Sequence, residues 1–77
     1  MPKSIASPRH ELLRNFLIAE REKAKLTQTD VAKRLKRYQS FVARIENGQK
    51  VVDVVELIDL ARAIGFDPRK AVKALMD

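Results

Sequence analysis

The sequence predicts an all-α domain of five helices, and three observations support this prediction. Aliphatic residues recur at spacings of three and four along most of the chain, as they do on one face of a helix. Capping residues and glycines divide the chain into segments of helical length. Aromatic residues make up only 5% of the chain, fewer than expected of a sheet.

Length and composition restrict how the chain is organised. Its 77 residues, 45% of them hydrophobic, suffice for one core and cannot be divided into two. We expect residues 1–6 to be a flexible N-terminus and residues 7–77 to form a single domain. Because cysteine is absent, neither a disulfide framework nor cysteine-ligated zinc can hold the fold together. No stretch approaches the roughly 18 apolar residues of a membrane span, so we expect a cytoplasmic protein without a membrane partner.

The first helix is predicted from the Ser7-Pro8 pair to about Lys23. Serine is a preferred helix cap, and proline fits the first helical position because the N–H that it lacks has no helical partner there. The apolar stripe of this helix consists of Leu13, Phe16, Leu17 and Ala24. The charged residues that we expect to face solvent are Arg9, Arg14 and Glu22.

Two short helices follow. Thr27 and Asp30 have the spacing of a capping box, which predicts a second helix over Gln28–Leu35. A third helix is predicted over Gln39–Glu46, before Gly48, because glycine readily takes the left-handed conformation that ends helices. The residues expected to point inward from the two helices are Val31, Ala32, Leu35, Val42 and Ile45.

The last two helices begin at Asp53 and at the Asp67-Pro68 pair. Asp53 and Glu56 again have box-like spacing, and Gly65 marks the end of the fourth helix. The inward stripe predicted for the fourth helix consists of Val54, Leu57, Ile58, Ala61 and Ile64. The narrow apolar face predicted for the fifth helix consists of Ala71, Val72 and Leu75.

The charge of the chain favours a polyanionic partner. The net charge is +6; residues 1–50 hold twelve basic and five acidic side chains, whereas residues 51–77 hold four and five. Positive charge concentrated in one part of a domain suits nucleic acid, because each neutralised phosphate releases condensed counterions. Charge alone leaves a non-specific binder of RNA or DNA as an alternative.

The second and third helices resemble those of a known family. Residues 26–35 read Leu-Thr-Gln-Thr-Asp-Val-Ala-Lys-Arg-Leu, and residues 39–48 read Gln-Ser-Phe-Val-Ala-Arg-Ile-Glu-Asn-Gly. With the tract from Asp53 to Pro68, these segments resemble the Cro and phage-repressor, or XRE-type, family of helix-turn-helix domains. The resemblance covers roughly residues 9–68 and implies a five-helix, lambda-repressor-like DNA-binding domain.

The resemblance also implies which residues contact DNA. The positions that face bases are those of Gln39, Ser40, Ala43 and Arg44. Gln28 stands where the family binds a phosphate and braces the recognition helix. The flanking residues that are further candidates for backbone contacts are Lys36, Arg37, Phe41, Asn47 and Lys50. The family also pairs the positions of Arg21 and Glu46 in a partly buried ion pair.

The chemistry of the base-facing side chains agrees with this assignment. Gln39 and Ser40 lie in the first turn and Arg44 four to five residues later, positions that share the helix face able to enter a groove about 12 Å wide. Glutamine can form two hydrogen bonds to adenine and arginine two to guanine, each discriminating by about 1–3 kcal/mol. The alternative is that both are solvated residues on an exposed helix.

The turn between the two short helices departs from the family pattern. Lys36, Arg37 and Tyr38 stand where the family usually has glycine, an apolar residue and serine, threonine or proline. A left-handed lysine is strained by about 1 kcal/mol relative to glycine. The other expectation is a longer turn, with Ser40 as the helix cap and Tyr38 packed into the gap.

The sequence offers no catalytic or metal site. His10 is the only histidine, and acidic residues cluster at helix starts, where they stabilise backbone donors. A phosphate-cradling glycine loop would need more glycines than the two in this chain, and a Ser-His-Asp set would depend on its one histidine, which stands in a first helical turn. We therefore expect no enzymatic activity, no metal and no cofactor.

Together these inferences predict a sequence-specific transcriptional regulator, with repressor as the expected role. We expect a homodimer on a palindromic operator in double-stranded DNA, because one small module binds weakly alone. Val72, Leu75 and Met76 either close the core or form the two-fold contact. The alternative function is an antitoxin-like interaction module whose main partner is an unidentified protein. Family resemblance leaves prophage repressor, restriction-modification controller and antitoxin open.

Overall fold

A computed structural model describes residues 7–77, which form five helices in the predicted order. The helices are α1 (Pro8–Lys23), α2 (Gln28–Leu35), α3 (Gln39–Glu46), α4 (Val54–Ile64) and α5 (Pro68–Met76). The all-α prediction is confirmed. The expectation of a flexible segment at residues 1–6 lies outside the described residues. None of the helices described combines the length and apolar character that a membrane crossing needs.

Capping side chains explain where the helices begin. Ser7, Thr27 and Asp53 each accept a hydrogen bond from the backbone N–H three residues on, and the side chain at that position bonds back. At the start of α5, Asp67 accepts from the Arg69 N–H. Because the first backbone donors of a helix have no partner within it, these four side chains satisfy groups that would otherwise lose hydrogen bonds.

All five helices contribute to one hydrophobic core. Its buried members are Leu13, Leu17, Val31, Ala32, Val42, Ile45, Leu57, Leu60, Ala63, Ile64 and Ala71. Phe16 and Phe66 pack against them edge to face, with ring centroids 5.3 Å apart. Val42 and Ile45 belong to α3, so burial of its apolar side fixes which side of that short helix faces outward.

The predicted inward stripe of α4 was wrong at two positions. Val54 is 72% exposed and Ile58 is also exposed, whereas Leu60 and Ala63 are buried. The buried face is rotated from the predicted one because α4 packs against both α2 and α5. Val72, predicted for the apolar face of α5, is likewise exposed. The N-terminal part of α4 therefore presents apolar side chains to solvent.

The turn between α2 and α3 takes the shorter of the two predicted forms. Lys36 ends α2 in the left-handed conformation, with φ at 59°. Tyr38 occupies the cap position of α3 without a side-chain capping bond, and it is 87% exposed. The alternative in which Ser40 caps the helix and Tyr38 fills the gap was therefore wrong. The Arg37 N–H donates to the Ala32 carbonyl of α2 at 2.9 Å, and this backbone hydrogen bond stabilises the short turn.

We expect Lys36→Gly to raise the free energy of unfolding by about 0.5–1 kcal/mol, because glycine adopts the left-handed conformation without Cβ strain. Lys33→Gly is the matched control, since Lys33 is exposed inside α2. That control should lower the free energy of unfolding by about 1 kcal/mol. Urea unfolding followed by circular dichroism measures both, and destabilisation by Lys36→Gly would contradict strain at this turn.

Candidate nucleic-acid interface

The outward face of α3 carries the residues predicted to read bases. Gln39, Ser40 and Arg44 are exposed there, and Ala43 lies partly buried beside them. The Arg44 guanidinium forms no ion pair with any residue within 7–77. Because the opposite side of α3 is held in the core, these side chains face solvent as a set.

A chain of hydrogen bonds connects Gln39 to the interior of the fold. The Nε2 atom of Gln39 donates to Oε1 of Gln28 at 2.6 Å, and Nε2 of Gln28 donates to Oε1 of Glu46 at 2.8 Å. Gln28 thus braces the first residue of α3 within the protein itself. Since an amide nitrogen carries two N–H groups, the second N–H of Gln28 can still donate to a phosphate oxygen.

The ion pair implied between Arg21 and Glu46 anchors the other end of this chain. Nε and Nη2 of Arg21 donate to the two carboxylate oxygens of Glu46 at 2.6 and 3.0 Å. Nη1 of Arg21 donates to the Leu26 carbonyl at 2.8 Å. The two charged side chains are only 14% and 9% exposed. The hydrogen bonds that Arg21 donates to Glu46 raise the pKa of Arg21 above its usual value, since they favour the charged guanidinium.

Arg14 supports the same end of α3, so the prediction that it faces solvent was wrong. Its Nη1 atom donates to the backbone carbonyl of Glu46 at 3.1 Å. The guanidinium lies against Gly48, where a Cβ atom would be 3.6 Å from Nε. Arg14 and Arg21 are two helical turns apart on one face of α1, and this spacing is the sequence signal that could have paired them.

The residues predicted to contact the sugar-phosphate backbone of DNA flank this face, and their surroundings in the structure differ. Lys36, Arg37 and Asn47 are exposed. The Arg37 guanidinium stacks over the partly buried Phe41 ring, 4.3 Å from its centroid. Lys50, in contrast, is engaged within the protein, because its Nζ atom lies 2.8 Å from a carboxylate oxygen of Glu56. This ion pair was not predicted from the sequence.

The chemistry available on this face is hydrogen-bond donation from cationic and amide groups. Such groups bind phosphate oxygens and the acceptor atoms on base edges. No cluster of histidine, aspartate and glutamate within residues 7–77 has the arrangement of a metal site. The arrangement therefore suits recognition of a nucleic-acid duplex.

We expect Arg21→Met and Glu46→Leu each to lower the free energy of unfolding by about 3–5 kcal/mol, because each leaves the other charge buried alone. The double variant should lose much less than the sum, since neither charge remains. Lys23→Met removes an exposed ammonium group that lies 3.5 Å from Glu20, and it should change stability by less than about 1 kcal/mol because Lys70 remains near the same carboxylate. Additive losses in urea unfolding would contradict a coupled pair.

Known proteins share this sequence pattern and this fold. Residues 12–75 match the family described as helix-turn-helix domain. The structure of an XRE-family like protein from Pseudomonas syringae pv. tomato str. DC3000 has 40% sequence identity and a TM-score of 0.84, covering 88% of this chain and 83% of that chain. The restriction-modification controller protein C.AhdI from Aeromonas hydrophila has 27% identity and a TM-score of 0.73, covering 80% and 94%.

A further structural relative shares the fold at lower identity. The clp gene regulator ClgR from C. glutamicum has a TM-score of 0.81 and 18% identity, with 92% of each chain covered. The search of curated proteins found no match. Because the family match spans residues 12–75 and the Pseudomonas protein is 40% identical over most of both chains, the chain belongs to the XRE-type helix-turn-helix family.

Proposed function

We propose that the protein is a sequence-specific DNA-binding transcriptional regulator that inserts α3 into the major groove of double-stranded DNA. The observation that carries the proposal is the outward face of α3, where Gln39, Ser40 and Arg44 are exposed between flanking cations. Membership of the helix-turn-helix family supports it, because such domains place the second helix of the motif in the groove.

The contacts of each side chain in the free protein indicate which part of the DNA it would bind. Lys36, Arg37 and Asn47 bind phosphates and fix the register of the protein on the duplex. Gln28 holds one N–H of Gln39, so the second N–H and the carbonyl oxygen of Gln39 remain for adenine. Arg44 supplies two parallel donors for guanine O6 and N7.

More specifically, we propose that the protein is a cytoplasmic repressor, without enzymatic activity, that binds a palindromic operator as a homodimer. A single small module contacts little DNA, whereas two copies related by a two-fold axis place their α3 helices about 34 Å apart. The apolar side chains exposed on α4 and α5 provide surface for a second copy. These residues are Val54, Val55, Ile58, Val72 and Met76.

Selection of bound duplexes from a random DNA pool tests base reading. We expect the native protein to enrich one motif and Arg44→Ala to relax the preference at one base pair per half-site, because a guanine contact is lost. Arg62→Ala is the matched control, since it removes the same charge from an exposed position of α4. A motif that Arg44→Ala leaves unchanged would remove Arg44 from the interface.

The homodimer makes a separate prediction. The enriched motif should contain two inverted half-sites with centres about 10 base pairs apart. Sedimentation equilibrium should show association to a dimer, and Met76→Glu should weaken it because Met76 is 79% exposed on α5. At a concentration where the wild type is monomeric, an unchanged thermal unfolding curve for Met76→Glu would establish that the fold is intact. A single unrepeated half-site with a monomer at all concentrations would contradict the dimer.

The second candidate function is a module whose main partner is another protein. The same exposed apolar residues on α4 and α5 favour it, because they lie outside the base-facing side of α3. Enrichment of a motif from the random pool would favour the DNA-binding regulator. Binding without sequence preference, lost at about 0.2 M salt, would instead indicate a non-specific basic binder.

A further inference from the structure

Lys50 is surrounded by acceptors that belong to the protein itself. Its Nζ atom lies 2.8 Å from Oε2 and 3.0 Å from Oε1 of Glu56, and it donates to the Val51 carbonyl at 3.1 Å. The side chains of Lys50 and Glu56 are 27% and 16% exposed. In the free protein, therefore, this ammonium group is already engaged by acceptors of the protein.

The carboxylate of Glu56 is fixed independently of Lys50. Its Oε1 atom accepts from the Asp53 backbone N–H at 3.0 Å, and the Asp53 carboxylate accepts from the Glu56 N–H at 2.7 Å. A negative charge in the first turn of α4 also complements the helix dipole. Since Glu56 is held by these backbone contacts, Lys50 must leave it in order to reach a phosphate.

The Lys50–Glu56 pair lies at the edge of the proposed DNA interface. Lys50 Nζ is 5.5 Å from the centroid of the Phe41 ring, the same ring on which Arg37 stacks. Glu56 and Asp59 of α4 line one crevice with Arg37 and Phe41. A phosphate that approaches this edge therefore meets two cations and also the carboxylate that holds one of them.

We propose that Glu56 limits the DNA affinity of this protein by holding Lys50 away from the phosphate backbone. This inference rests on the proposed function and adds an affinity-limiting residue to it. Phosphate contacts strengthen binding to all sequences nearly uniformly. Withholding one cation therefore weakens binding to unrelated DNA and to the operator alike, and it lowers the fraction of protein bound to either at a given salt concentration.

Glu56→Gln is the direct test, because glutamine also fits the third position of a capping box while it removes the charge. Affinity is measured over a range of salt for the duplex enriched from the random pool and for an unrelated duplex of equal length. We expect both affinities to rise about threefold or more at low salt. The slope of log affinity against log salt should become steeper by about 0.9, the value for one added phosphate contact.

Two further variants separate release of Lys50 from simple loss of negative charge. Asp59→Asn removes a negative charge one turn further along α4. Asp59 forms no ion pair within residues 7–77, so this variant should keep the wild-type salt slope. In a Lys50→Met background, Glu56→Gln should no longer steepen the slope. Thermal unfolding establishes that each variant is folded.

The outcomes distinguish this inference from the proposed function. Unchanged or weaker binding by folded Glu56→Gln, with normal operator preference in the wild type, overturns the inference alone. A steeper slope that persists in the Lys50→Met background also overturns it. Absence of operator preference in the wild type contradicts the proposed function, while the slope on the unrelated duplex still decides the role of Glu56. Failure to bind either duplex overturns both.

Discussion

The carboxylate of Glu46 is the point at which α1, α2 and α3 are joined. It accepts hydrogen bonds from Arg21 and Gln28, while the backbone carbonyl of the same residue accepts one from Arg14. A mostly buried charge is tolerated only when it is paired and hydrogen-bonded. The hydrophobic effect is non-directional, so burial of Val42 and Ile45 sets which side of α3 faces outward, whereas the hydrogen bonds to Glu46 specify its rotation more closely. Rotation of α3 about its axis would break the contacts that keep this charge paired.

The same network gives the two proposed base-reading residues different properties. Gln39 is held by Gln28 in the free protein, so its side chain loses little conformational entropy on binding. Arg44 is exposed and has no ion-pair partner among the described residues, so it becomes ordered only when it meets an acceptor. One base-reading residue is therefore pre-organised, whereas the other can adapt its conformation to the sequence that it meets.

The helices were predictable because capping boxes, helical periodicity and terminal glycines are local signals. Which face of α4 is buried could not be predicted, because helical periodicity fits an apolar face through Val54 as well as one through Leu60. Packing against α2 and α5 selects the face that contains Leu60. The Lys50–Glu56 pair joins a loop to a helix at a spacing that no periodic rule covers. At the turn, the sequence left two starts of α3 open because local strain at Lys36 had to be weighed against a longer loop. Family resemblance implied the outward face of α3 and the Arg21–Glu46 pair behind it, whereas the contacts of Arg14 and Lys50 became visible only in the structure.

Lys36 occupies a backbone conformation that suits glycine, and it carries its ammonium group at the entrance to α3. Glycine at this position would give the higher free energy of unfolding, whereas lysine supplies the positive charge that attracts a polyanion. Evolution toward heat resistance would favour the smaller residue, whereas selection for tight association with a polyanion would retain the larger one. Thermal robustness and attraction of a polyanion are thus opposed at a single site.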